Sequence, residues 1–494
     1  MVEFLYRFRS LNALLGPDDG YEQGRAELEK QTIYFAAPDE LNDPVEGFKD
    51  VFWRGDWIVW RNLFKHYLLC LEETVAQFSI IGGEGVIERE NIPVFVGPTD
   101  LPTVARQAIH KEISEQFFRH ESMAGYPEAL AARRSPVRYN ELSLHLKRVH
   151  LDALNCVLKV FKENGLIAAA GPDFHKPVGQ VPPAEFCRML NEMDEQHPDS
   201  PGVVEDFLAS QTAIVDQLTL IERYDPRLPG QAFDNFLFLV NQFPNEYTIQ
   251  VQTLIYPKWY AASFSAGFEN ASLWGHYAQN HTGVCLKFRV HDKGETINLP
   301  VPMITGYGGG LDDPRTYIST VDVPFEKIQY ATARPAVDFF RSISLPIPKL
   351  NATWYVGPSG ERSVCHDDVF SEHEIWRRGY WKSCQETMTT KTEDWAYEEE
   401  YRLLISGFMT DYSDRQTRIK NFDFADLEGI VFGIKTPPDK KLAIMRIIDR
   451  KCTTANRTDF KFFQAYYCRT SGKIKAMPLG LLTPGVVPKK PDES

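Results

Sequence analysis

Two hydrophobic periodicities divide the chain. From Asp56 to about Asn245, apolar residues recur every three to four positions. Trp57, Trp60, Phe64, Leu68 and Leu71 follow Asp56, whose carboxylate suits a helix N-cap, and Leu142, Leu146, Val149, Leu154, Val157 and Phe161 precede Gly165, a natural helix stop. Shorter stripes run through Phe186, Leu190 and Met193, through Phe207, Ile214, Leu218 and Ile221, and through Phe233 to Val240. This spacing predicts helices with one face buried. Stretches rich in Gly and Pro, such as Ile81–Asp100 and Ala170–Pro183, separate them as loops.

Outside that window the pattern changes to alternation and β-branching. Arg7 and Arg9 enter on one N-terminal element; Glu27–Lys30 reads as the end of a short helix and Thr32–Ala36 as a short strand, after which Pro38, Asn42, Asp43 and Pro44 force a turn. Strand character returns in IQVQTLIYPKWYAASFS, Ile249 to Ser265, and again at Gly283–Val290, Arg315–Phe325, Tyr401–Ser406, Gly429–Ile434 and Phe460–Tyr467. Asp423–Arg450 predicts a strand followed by an amphipathic helix with Leu442, Ile444, Met445, Ile447 and Ile448 on its apolar side. The expectation is an α+β fold: a mixed, mainly antiparallel sheet domain made from residues 1–55 and 246–478, interrupted by a large helical insertion at 56–245, with a partly ordered tail at 479–494.

Composition narrows the function classes. With 494 residues, 43% of them hydrophobic, the chain can bury a large core. A net charge of -13 argues against a broad footprint for nucleic acid or an anionic membrane and leaves only a local basic cleft for a polyanion. There is no apolar run of transmembrane length, and Glu3, Arg7 and Arg9 interrupt the first ten positions, so a cytoplasmic protein with no membrane partner is expected. The eight cysteines are scattered without a CxxC pair and read as reduced thiols.

The densest chemistry lies in LWGHYAQNHTGVCLKF, Leu273 to Phe288. A metal reading fails on spacing: His276 and His281 are five apart, Cys285 sits on a predicted strand, and the group Cys365, His366, His373 and Cys384, interleaved with Glu372 and Glu374, lacks close pairing, so no metal is expected. Cys285 reads as a small core hydrophobe. If Trp274–Gln279 is a short helix, His276, His281 and Tyr277 flank its exit and could donate to a phosphate or ribose, with a histidine able to act as acid or base; alternatively Trp274 and Tyr277 are core and one histidine caps the helix. GYGGGLDD, Gly306 to Asp313, lacks a phosphate-loop pattern and reads as a flexible hairpin or lid.

The order LYRFRSL, TIYFAAPDELNDPVEG, SFS, LWGHYAQNHTGVCLKF and EEEYRLL strongly resembles a bacterial family of unknown function, domain-of-unknown-function family 2971, at the two ends of the chain. The same windows are similar in order to the R-S-E signature of arginine-type ADP-ribosyltransferases: Arg7 or Arg9, then Ser263 and Ser265, then Glu398 and Glu400. That similarity implies NAD as substrate. Arg7 and Arg9 would hold its pyrophosphate, Ser263 and Ser265 the nicotinamide ribose, Tyr34 a ring, and His281 a phosphate or ribose, with Glu400, Glu398 and His276 as catalytic groups. It further implies transfer or cleavage of ADP-ribose, as in a toxin or defence effector, with the helical insertion meeting a protein partner. The alternative is a non-catalytic module that senses a nucleotide or binds a protein. In it the same residues form a buried network, with Arg7 and Arg9 paired to Asp43, Glu46 or the Glu398–Glu400 run.

Overall fold

A computed structural model of the chain describes residues 2–16, 26–81, 85–167, 181–197, 202–224, 231–292, 296–309, 315–407, 410–482 and 484–485. The fold is α+β, and it divides into two compact units: one of residues 49–257 and 335–384, the other of residues 1–48, 258–334 and 385–494. Residues 335–384 therefore leave the sheet-bearing unit a second time, an excursion for which the sequence pattern carried no expectation.

The first of these units is helical. Helix α1 (Trp57–Ile81) starts where Asp56 accepts hydrogen bonds from the backbone of Ile58 and Val59 (3.1 and 3.2 Å), as its sequence position suggests. Its Trp60, Leu63, Phe64, Tyr67, Leu68 and Leu71 are buried, and burial of each such side chain stabilises by roughly 1.5–3 kcal/mol. Helix α2 (Val104–Arg119) follows, and helix α3 (Tyr139–Glu163) packs Leu142, Leu146, Val149, Val157 and Phe161 inward before Gly165 turns the chain at φ +70°. In the helix Val203–Tyr224 the periodicity predicted an apolar face but not its cover: Val204 and Leu208 are buried, whereas Phe207, Ile214, Leu218 and Ile221 are exposed.

One expected strand is overturned in part. Phe243–Gln250 is helix α4 and Val251–Leu254 a 3-10 turn, so strand begins only at Trp259. Tyr247, Val251 and Leu254 fall at spacings of four and three and are buried, so tertiary burial selected the helical period over the local alternation.

The second unit is built on a ten-stranded sheet. Its strands are β1 (Phe4–Arg9), β2 (Trp259–Ser265), β3 (Val284–Arg289), β4 (His291–Asp292), β5 (Ile297–Gly308), β6 (Arg315–Lys327), β7 (Glu400–Ser406), β8 (Leu427–Phe432), β9 (Lys461–Cys468) and β10 (Lys473–Pro478). They lie in the order β10-β9-β8-β3-β1-β2-β7-β6-β5-β4. Pairing is antiparallel except between β8 and β9, which are joined by a helical crossover. The Gly306–Asp313 stretch begins on β5 of the β5–β6 hairpin and otherwise reaches beyond the described residues.

Both faces of the sheet are covered. On one, Leu5, Phe264, Phe288, Leu403 and Phe432 pack with Ile444, Ile448 and Cys452 of helix α6 (Pro438–Thr454), while Leu442 of the predicted apolar side is exposed. On the other, helix α5 (Ala271–Tyr277) seats Trp274 edge-on against Phe8 at 5.1 Å, beside Cys285. Trp274 and Cys285 thus anchor the Leu273–Phe288 stretch in the core, and burial pushes the Cys285 thiol well up.

Candidate functional site

The cavity of interest forms where the sheet splits. Strands β1 and β2 pair at one position, Tyr6 opposite Ser265. Beyond it the edge of β2 is taken by Ala36, which exchanges backbone hydrogen bonds with Ala261 (2.8 and 2.9 Å). The Arg7 guanidinium bridges the gap, donating to the carbonyls of Ser263 (3.2 Å) and Tyr34 (3.1 Å) and lying 5.2 Å from the centre of the Phe264 ring. A cavity of about 250 Å³ opens there, and Arg7, Arg9, Tyr34, Ser263, Ser265, Glu398 and Glu400 all line it. Three separated stretches of sequence thus meet because β1, β2 and β7 are adjacent strands, and pairing sets Glu400 opposite Ser265 and Arg402 opposite Ser263.

At one wall three carboxyls share two cations. Arg402, wholly buried, forks onto Glu400 (2.8 and 3.0 Å) and onto Glu46 (3.0 and 2.8 Å). Lys391 reaches Glu398 at 2.7 Å and Glu400 at 3.4 Å. Tyr277 donates its hydroxyl to Glu398 at 2.5 Å, and the Ser265 hydroxyl donates to the Glu398 carbonyl at 2.7 Å, fixing the turn that carries that glutamate.

This environment separates the two glutamates. Burial would raise the Glu400 carboxyl, but the charges of Arg402 and Lys391, with hydrogen bonds from Arg402 and Ser263, hold it down at about 2. Glu398 goes the other way: burial raises it, Glu400 adds repulsion, and Lys391 with the Tyr277 hydroxyl offsets only part of this. Burial and neighbouring charge thus set the two carboxyls apart, Glu400 held down and Glu398 pushed up.

The remaining sequence-predicted residues fall in different places. Arg9 lines the cavity but is clamped at two points by Glu27, its Nε 2.7 Å from the carboxylate. Asp43 instead meets Arg334 at 3.4 Å. Tyr34 offers no exposed ring for stacking, because it is 5% exposed and its hydroxyl donates to Glu40 at 2.8 Å. His276 and His281 do not line the cavity. His276 is turned outward, its Nδ1 3.0 Å from the Tyr397 hydroxyl, and His281 stacks on Trp274, with centroids 6.4 Å apart, in a run of left-handed residues with Gln279 and Asn280. The helical phase explains the correction: the member of HisTyr that reaches the site is Tyr277.

Sequence reading missed Lys391 and Arg402, and it named Tyr277 and Glu46 without their partners Glu398 and Arg402. One signal was present: Glu400 and Arg402 are two apart on a strand, which puts carboxylate and guanidinium on the same face. Lys391 carried no comparable mark. Among the described residues, no group of three or more His, Cys, Asp or Glu is placed to hold a metal, and no helix is long and apolar enough to cross a membrane. Cys365 and Cys384 are buried in the helical unit.

No curated protein and no solved structure matches the chain. Residues 273–403, which run from helix α5 to the strand bearing Glu400 and Arg402, match the family described as protein of unknown function (DUF2971).

Proposed function

We propose that the cavity binds NAD and that the chain cleaves it or transfers its ADP-ribose. The observation that carries this reading is the meeting of Arg7, Ser263, Ser265 and Glu400, from three neighbouring strands, with Glu398 from the turn before β7, around one volume. Guanidinium groups suit a pyrophosphate, hydroxyls a ribose, and carboxylates in excess of their cations a sugar that becomes cationic. In the reaction the bond from ribose C1′ to the nicotinamide nitrogen breaks and its electron pair leaves with nicotinamide. The negative charge of Glu400 and Glu398 stabilises the ribosyl cation. The acceptor then bonds to C1′ and passes its proton to Glu398, the carboxyl of raised proton affinity.

A second reading is favoured by one feature: both Glu400 oxygens are engaged by Arg402, which suits a purely structural network around a nucleotide sensor. Nicotinamide release by the full-length chain, followed chromatographically, separates the two. Turnover that falls ~10²–10⁴-fold in Glu398→Gln, with NAD affinity retained, supports catalysis. NAD binding without release in the native chain supports the sensor, and absence of NAD binding at millimolar concentration overturns both as readings of a NAD site.

A further inference from the structure

A second cavity, in the helical unit and unrelated to the NAD reading, has its own chemistry. It measures about 600 Å³ and lies between α1 and α2, with Val356, Gly357 and Pro358 along one rim. Three cations line it: Arg61 and Lys65 from α1 and Lys111 from α2. Arg61 and Lys65 are half-buried and one helical turn apart, where like charges repel. Burial, then the Arg61 charge, lowers the Lys65 ammonium.

None of the three is neutralised locally by an ion pair among the described residues. Arg61 lies 4.2 Å from the centre of the Phe118 ring, with Glu361 and Glu128 close enough only to favour its charge. The carboxylate on the cavity wall, Glu115, is bonded to Arg119 at 3.0 Å, and the buried His110 is held by Glu72 at 2.8 Å. The result is a concave cationic spot on a chain whose net charge is -13, a place where field lines of one sign are focused.

We propose that this cavity is a binding site for a small, multiply charged phosphate anion, a di- or triphosphate either free or carried by a nucleotide. Its volume fits one such molecule, and the net negative charge of the chain disfavours a long polyanion. The guanidinium of Arg61, already desolvated on Phe118, is suited to a bidentate phosphate contact, while Lys65 and Lys111 supply point charges from the facing helices.

Isothermal titration of the full-length chain with inorganic pyrophosphate, ATP, adenosine and a short single-stranded RNA tests this. The expected result is saturable binding of pyrophosphate and ATP that weakens with added salt, with no binding of adenosine. Binding should weaken at least tenfold in the double variant Arg61→Gln/Lys65→Gln and also in Lys111→Gln, whose side chain is exposed and whose loss leaves the fold intact. Pyrophosphate and ATP binding alike places recognition on the phosphates; ATP alone places it on a nucleotide-borne phosphate. Equal affinity in the variants, adenosine binding as well as ATP, tighter binding of the RNA, or no binding of either phosphate at millimolar concentration overturns the proposal. Nicotinamide release from NAD measured on the same variants should not change, which keeps this outcome separate from that of the first cavity.

Discussion

At the scale of residues, the site turns on how two glutamates two positions apart come to differ. Glu400 is held ionised by a guanidinium that also serves Glu46, so Arg402 is the keystone of that wall. Arg402→Ala would leave buried carboxylates uncompensated, and urea unfolding should show a loss of ~3–5 kcal/mol. Arg402→Lys should recover only part of this, because an ammonium cannot serve two carboxylates as a fork does. The sequence announced Glu398 and Glu400 as a pair but not which was which. The difference arises from Arg402, whose guanidinium holds Glu400 down, while burial and the Glu400 charge raise Glu398 against the partial compensation of Lys391 and Tyr277, which reach it from elements that the strand pattern does not connect to it.

At the scale of elements, the cavity depends on β1 parting from β2 after one paired position, and on the turn from α5 into β3 that supports β1 from its other side. A Cβ at Gly283 would lie 2.3 Å from the Arg9 carbonyl oxygen, so Gly283→Ala must push β3 away from the strand that carries Arg7 and Arg9. A stability loss of ~1–3 kcal/mol in thermal unfolding, together with weaker NAD binding, is expected. Beneath the cavity, Phe264 packs edge-on to Phe288 and Phe325 at 5.4 and 5.0 Å. Phe264→Ala should cost ~3–5 kcal/mol by the same measurement. The strands themselves were legible at most positions, since alternation marks them; the start of β2 was not, because Tyr247, Val251 and Leu254 satisfy a helical period within an alternating run.

At the scale of the whole molecule, the two glutamates should leave opposite marks on pH dependence. The Glu400 carboxyl falls from its ordinary 4.5 to about 2 in the folded state, so the stability it contributes is present above about 4.5 and is lost as pH falls toward 2. The deficit of Glu400→Gln relative to the native chain should therefore shrink on acidification. Glu398 is raised, so its ionised form burdens the folded state at neutral pH and protonation relieves that burden. Relative to the native chain, Glu398→Gln should fare better at pH 7 than at pH 4. Denaturant titrations from pH 7 down to about pH 2 check both slopes, and parallel slopes would contradict the separation.

Hydrophobic periodicity by itself determined much of this protein: helices from Asp56 onward, strands at both ends of the chain, a core anchored by Trp274 and Cys285, and an α+β class that follows from burying both kinds of face. It determined these because burial acts on local repeats that any window displays. What only the tertiary structure decided was adjacency. That β1, β2 and β7 lie side by side, that residues 335–384 rejoin the helical unit, that Tyr277 rather than His276 or His281 meets Glu398, and that Arg61, Lys65 and Lys111 face one cavity are all consequences of long-range packing. Charges reveal their partners only when the chain has brought them within a few ångströms, since Coulomb attraction and desolvation depend on distance in space and not along the sequence.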